Sequence, residues 1–225
     1  NKKILIDWSF NGWAKYKNFN YDNKICFKIK NFLKLRSISP VLKNKKIILE
    51  GGSIDVNGKG TLLTTKECLL SNIQARNPGM KKKEYEYTFK KFLGIKKVVW
   101  LNKGIAGDDT HGHIDDIARF VGEKKIFIAY ENNKKDINYK PLRENYEIIK
   151  KKIGKKHVKL FKIPMPKAKY INGVRVPATY LNFYIANKVV LVPIFNDNND
   201  KVVINIFKKH FKNRKIIPID CSLLI

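Results

Sequence analysis

Three short apolar runs recur at one interval: GTLLTT from Gly60, KKIFIAY from Lys124 and KVVLVPI from Lys188, their starts 64 residues apart both times. This spacing constrains the fold more than any other feature, because each run is followed by the same kind of segment. Residues 82–93 carry Tyr85, Phe89, Phe92 and Leu93; residues 141–153 carry Leu142, Tyr146, Ile149 and Ile153; residues 200–211 carry Val202, Ile206, Phe207 and Phe211. Apolar residues three and four apart share one helix face. Pro141 stands at one entry, and Gly94 and Gly154 at two exits, where a helix starts and stops most easily. Each predicted helix leads into another apolar strand: KKVVWL at Lys96, HVKLFKI at His157 and KIIPID at Lys215. The pattern predicts an α/β chain in which a strands–helix–strand unit occurs three times and no unit buries its own face alone. Ordinary alternation in an α/β domain is the plainer reading, and the equal spacing favours the repeat.

Composition decides which classes of function remain. The 225 residues are 44% apolar and 12% aromatic, with eight prolines, which suits one sizeable core and excludes disorder. No apolar run approaches the roughly 20 residues of a membrane helix, and no secretory leader is read at the start. Cys26, Cys68 and Cys221 lie too far apart to suggest a disulfide framework or a zinc module. The expectation is a reducing, cytoplasmic setting with no membrane partner; a homo-oligomer is left open. Lysine and arginine total 47 against 19 acids, a net charge of +28. A nucleic-acid-binding module is therefore one reading. Against it, only six of the 47 are arginine, the better phosphate fork, and the lysines are scattered as solvent-facing pairs and triplets with no finger, RNP or helix-turn-helix motif. No specific nucleic-acid partner is expected.

Two segments concentrate chemistry. LEGGSIDVNGKGTLLTT, residues 49–65, reads as a strand, a Gly-Gly turn, a strand, an Asn57-Gly58 hairpin turn and a third strand. Glu50 precedes two glycines, where backbone can approach another group closely; a plain turn with an exposed acid is the simpler alternative. In DDTHGHIDDIARF, residues 108–120, four aspartates and two histidines stand in thirteen positions of a lysine-rich chain. Carboxylates so crowded repel unless a cation sits among them. Read as extended backbone, His111, His113 and Asp115 point to one side. H-x-H-x-D also fits a metallo-hydrolase, but only His157 and His210 remain to complete a ligand set. Acid–base catalysis on a cationic substrate needs fewer groups, and loop acids satisfying backbone donors remain a third reading. Asn182, on a predicted buried strand, is a candidate site group or a backbone partner.

Taken together and in order, LEGGSIDVNGKGTLLTT, GDDTHGHIDDIARFV and YLNFYIANKVVLVPIFNDNND resemble the agmatine deiminase and bacterial-type peptidyl-arginine deiminase family; DWSFNGWAKY and the RNP at Arg76 agree. The resemblance implies the pentein fold, an α/β propeller of five αββαβ-type units. Residues 1–225 would then be a single partial catalytic domain, a partial propeller of about three units. It implies hydrolytic deimination of a guanidine through a cysteine thiouronium intermediate, with no metal or organic cofactor. Agmatine, giving N-carbamoylputrescine and ammonia for polyamine synthesis, is the favoured substrate, and peptidyl-arginine the alternative.

By the same resemblance, His113 moves protons, Asp115 clamps the guanidinium and Glu50 supports the histidine. Asp109 meets the distal amine of agmatine, and Asn182 lines the site. Asp108, Asp116 and His111 fall to structural roles. The family also has a W-x-R-D clamp before DWSFNGW and an H-C nucleophile after IDCSLLI. Neither motif is present, so the chain is expected to be an incomplete, inactive portion of a longer protein, and Cys221 is not expected to be the nucleophile.

Overall fold

The computed structural model describes residues 3–153 and 158–224; Gly154 and His157, assigned above to a helix stop and a strand start, lie outside them. The chain opens with β1 (Ile4–Ile6), α1 (Ile25–Leu33) and β2 (Arg36–Ile38), the two strands pairing in parallel, followed by the small ladder of β3 (Val41–Leu42) and β4 (Lys45–Lys46). A first unit contains β5 (Asp55–Val56), β6 (Thr61–Thr65), the short α2 (Lys66–Leu70), α3 (Lys82–Leu93) and β7 (Lys97–Leu101). A second contains β8 (Ala118–Gly122), β9 (Lys125–Tyr130), α4 (Tyr139–Ile153) and β10 (Lys159–Pro164). After the hairpin of β11 (Lys169–Ile171) and β12 (Val174–Val176), a third contains β13 (Tyr184–Ile185), β14 (Val189–Ile194), α5 (Asn199–His210) and β15 (Lys215–Asp220).

The three units share one topology. In each, a short strand runs antiparallel to the central strand, a helix crosses over, and a last strand returns parallel to the central one. The parallel registers start alike, Thr61 beside Lys97, Lys125 beside Lys159 and Val189 beside Lys215. Central strands have both faces covered, so they read as unbroken apolar runs rather than alternating ones. Successive side chains still point oppositely: Leu62 joins Tyr85, Phe89 and Trp100 beneath α3, while Leu63 joins the main core with Val99, Leu101, Ile114 and Ile117. Fully buried side chains such as Phe127 and Phe207, whose rings meet edge-on at 5.0 Å, each contribute about 2–3 kcal/mol. Helix α4 packs on both β7 and β9, and α5 on both β10 and β15. Buried Asn145 of α4 accepts from Asn102 N at 2.9 Å and donates to Lys103 O at 2.7 Å, tying the helix to the chain leaving β7.

Several local expectations change. The strand expected before the Gly-Gly turn is reduced to one bridge, Ser9 with Ile48, because Glu50 already opens a 3-10 turn over Gly51–Ser53. The Asn-Gly hairpin forms: Asn57 Oδ1 accepts from the amides of Lys59 and Thr61, and Gly58 and Gly60 take the left-handed backbone the turn needs. Asn182 is not on a strand. It occupies a bend before β13, where the carbonyls of its neighbours Leu181 and Phe183 are taken by Arg119 instead of a ladder. Helix α1 was not read from the sequence. No helix among the described residues is long and apolar enough to cross a membrane.

Candidate active site

The C-terminal end of β6 gathers the two chemistry-bearing loops. Thr64 Oγ1 donates to Ser53 O at 2.8 Å, and Thr65 Oγ1 donates to Gly112 O while accepting from Cys68 N at 3.0 Å. Both threonines are fully buried. Asn77 adds a two-way clamp on Ile48, accepting from its amide at 2.9 Å and donating to its carbonyl at 2.8 Å. Glu50, one residue past Leu49, is thereby held facing the loop that carries His113.

Glu50 sits between two partners. Arg76 Nε reaches its oxygens at 3.0 and 3.2 Å, and its Oε2 lies 3.1 Å from His113 Nε2. Arg76 is 1% exposed, and its remaining nitrogens donate to the carbonyls of Gln74 and Thr110. A carboxylate only accepts, so His113 donates from Nε2 and turns Nδ1 toward Asp115, whose Oδ1 stands 3.9 Å away. That oxygen is buried and has no hydrogen-bond partner. Burial raises the Asp115 carboxyl above the usual range, opposed by the neighbouring His113 and Arg119 charges. Gly52 makes the approach possible, since a Cβ there would fall 2.4 Å from His113 Nδ1 and 3.0 Å from Asp115 Oδ2. An open cleft of about 410 Å³ is lined by Glu50, Gly52, His113 and Asp115 with Phe10, Trp13 and Thr110.

His113 and Asp115 meet, but not as extended backbone. His111 and Gly112 have left-handed φ of +64° and +88°, and Ile114–Asp116 form a 3-10 turn. His111 is consequently turned away, its Nε2 3.2 Å from Ser71 Oγ, and the H-x-H-x-D set does not converge. Asp108 causes the turn: its carboxylate accepts from the amides of Thr110, Gly112 and His113. Asp109 is not among the residues that line the cleft, though its neighbour Thr110 is; its Oδ2 accepts from Tyr16 OH at 2.7 Å. Asn182 is one step removed from the histidine, donating to Asp116 Oδ1 at 3.1 Å. It also lines a neighbouring pocket with Asp55, Asp115 and Arg119. Burial pushes Asp116 well above the usual range, reinforced by the nearby charges of Asp115 and Asp108. Burial also holds Asp55 at about 6 despite Arg119 Nε at 2.6 Å.

Among the described residues, Glu50, Cys68 and His113 could bring ligand atoms near one cation. The Arg76 guanidinium already fills Glu50, however, and repels a dication there. Cys68 does not line the cleft, and burial pushes its thiol up, away from the thiolate a nucleophile needs. Sequence reasoning missed Arg76, the Asp55–Arg119 pair and the Phe10–Trp13 wall. The available signal for Arg76 was an arginine among lysines, the residue suited to a rigid multidentate contact.

The chain belongs to the Porphyromonas-type peptidyl-arginine deiminase family, whose family model it matches over residues 1–225. A Legionella pneumophila (strain Paris) protein provisionally named agmatine deiminase is 35% identical over 226 residues, covering 98% of this chain and 63% of its own length. A substrate-bound C. jejuni agmatine deiminase variant is 34% identical, with a TM-score of 0.85, over 96% of this chain and 62% of that one. A Porphyromonas gingivalis structure, provisionally named arginine deiminase, is 34% identical, with a TM-score of 0.87, over 98% of this chain and 66% of that one. The chain thus spans a little under two thirds of the length of these relatives, and shares their mixed α/β fold.

Proposed function

We propose that these residues form the histidine side of a hydrolytic deiminase site acting in the cytoplasm on a small cationic guanidine, agmatine, to give N-carbamoylputrescine and ammonia. The supporting observation is that Asp115 lines the open cleft beside His113 while its buried Oδ1 has no hydrogen-bond partner. A guanidinium is planar, cationic and rich in N–H donors, which such an acceptor lacks. Holding it fixed converts attack on its central carbon into an oriented, intramolecular-like step.

In this reading a cysteine thiolate attacks the guanidinium carbon. His113, positioned by Glu50 and through it by Arg76, protonates the departing ammonia and then takes a proton from water. The water cleaves the thiouronium, freeing the thiol and the ureido product. None of Cys26, Cys68 and Cys221 is assigned the nucleophile. Asp109 is proposed to meet the distal ammonium and Asn182 to steady the Asp116 side of the site. The three units are proposed to belong to one partial propeller and one catalytic domain. Peptidyl-arginine is the second substrate, supported by the family to which the chain belongs.

Full-length protein incubated with agmatine, without added metal, should release ammonia. His113→Ala and Asp115→Asn should each lower turnover by about 100-fold or more. Undiminished turnover in either variant refutes the assigned roles.

A further inference from the structure

The carboxylate assigned to the substrate's distal end already has an ammonium beside it. Lys15 Nζ stands 3.6 Å from Asp109 Oδ2, the oxygen that also accepts from Tyr16 OH. Nζ lies 5.2 Å from the Tyr16 ring centroid, within range of a cation–π contact. The two loops that carry these side chains are held together through their backbones. Gly12, Trp13 and Ala14 run left-handed at φ +62°, +57° and +55°, a turn fixed by Asn11 Oδ1 accepting from Ala14 N at 3.0 Å. Gln74 Nε2 then bridges the two loops, donating to Trp13 O at 3.2 Å and Asp109 O at 3.0 Å. The loop that presents Lys15 is also the loop that supplies Phe10 and Trp13 to the cleft wall. The Lys15 and Asp109 side chains are 41% and 49% exposed, so the ammonium can leave for water.

We propose that Lys15 is a specificity-determining residue, an internal ammonium that occupies Asp109 and is displaced by the distal ammonium of an agmatine-like substrate. The proposal rests on the guanidine reading of the cleft. Exchanging one primary ammonium for another leaves the carboxylate paired before and after, so Asp109 discriminates weakly between a cationic and a neutral tail. That tolerance is what a site admitting either a diamine-like chain or an uncharged peptide tail requires. Without Lys15, the same carboxylate stands free and favours the cationic tail.

The test is calorimetric titration of full-length protein, its turnover blocked by His113→Ala, with agmatine and with butylguanidine, the same guanidinium on an uncharged tail. Unit charges 3.6 Å apart in water are worth roughly sevenfold in affinity before screening. Lys15→Met should therefore raise the agmatine-to-butylguanidine affinity ratio about three- to sevenfold at low salt, less at high salt. In the Asp109→Asn background, Lys15→Met should leave the ratio unchanged. If both ligands bind and Lys15→Met does not move the ratio, the proposal falls while the guanidine reading stands. If neither guanidine binds full-length protein with Lys15 in place, the reading falls and takes the proposal with it.

Discussion

Arg76→Lys tests whether a guanidinium fork, and not merely a positive charge, holds the site together. Arg76 Nε serves both Glu50 oxygens at 3.0 and 3.2 Å, Nη1 serves Gln74 O at 3.0 Å, and Nη2 serves Thr110 O. A lysine keeps the charge but brings one nitrogen on a flexible stem, which can satisfy Glu50 or the carbonyls, not all three groups. Leaving two part-buried carbonyls unpaired costs about 1–3 kcal/mol. Arg76→Met also removes the charge, leaving Glu50, 8% exposed, with His113 alone; breaking a buried pair in this way costs about 3–5 kcal/mol. Domain stabilities are about 5–15 kcal/mol, so the methionine variant sits near the edge of folding and the lysine variant inside it. Urea unfolding of the three proteins measures the difference, with the denaturant slope expected to stay constant. A lysine variant within about 0.5 kcal/mol of the original refutes the argument, because surface substitutions alone fall in that range.

Gly52→Ala should displace His113, since the new Cβ would sit 2.4 Å from Nδ1. The imidazole must then leave Glu50, and guanidine hydrolysis by full-length protein should fall by about 100-fold while stability changes by less than about 2 kcal/mol. Wild-type turnover in that variant would mean His113 has another working position. Buried Asp55, Asp115 and Asp116 all hold their protons to higher pH than in the unfolded chain. Their contribution to stability is therefore fully present below the unfolded value and is lost as pH rises through the folded ones. For Asp55, raised from 3.8 to about 6, the loss is about 3 kcal/mol. Asp116→Asn keeps an oxygen for Asn182 Nδ2 but cannot ionise, so it should raise the urea midpoint at pH 8 and flatten its decline from pH 5. An unchanged slope would show that Asp116 ionises in the fold as easily as in water.

The repeated units were legible because their signal is a period, and a period survives ignorance of what each face packs against. Helices 82–93, 141–153 and 200–211 appear as α3, α4 and α5 with ends shifted by at most two residues. Helix α1 was not read because it stands outside the 64-residue period, although Ile25, Ile29, Phe32 and Leu33 share one helical face; in the structure those four side chains remain exposed. His113 and Asp115 stood out as acid and base chemistry in a basic chain. Their geometry did not, because Asp108 wraps three downstream amides and replaces the extended backbone with a turn. Arg76 and Glu50 are 26 positions apart. Nothing local relates them; only the closure of β6 against the loops brings them together.

The seating of α4 on β7 as well as β9, and of α5 on β10 as well as β15, imposes an order of construction. While the chain is being made, Val99 and Leu101 stay uncovered until Leu142 and Ile149 emerge from the ribosome to close over them. The α4 and α5 crossovers each complete the storey below before roofing their own. A unit therefore cannot be excised, duplicated or transplanted at its strand boundaries without baring its neighbour, and the workable seams for such surgery lie on the far side of each helix.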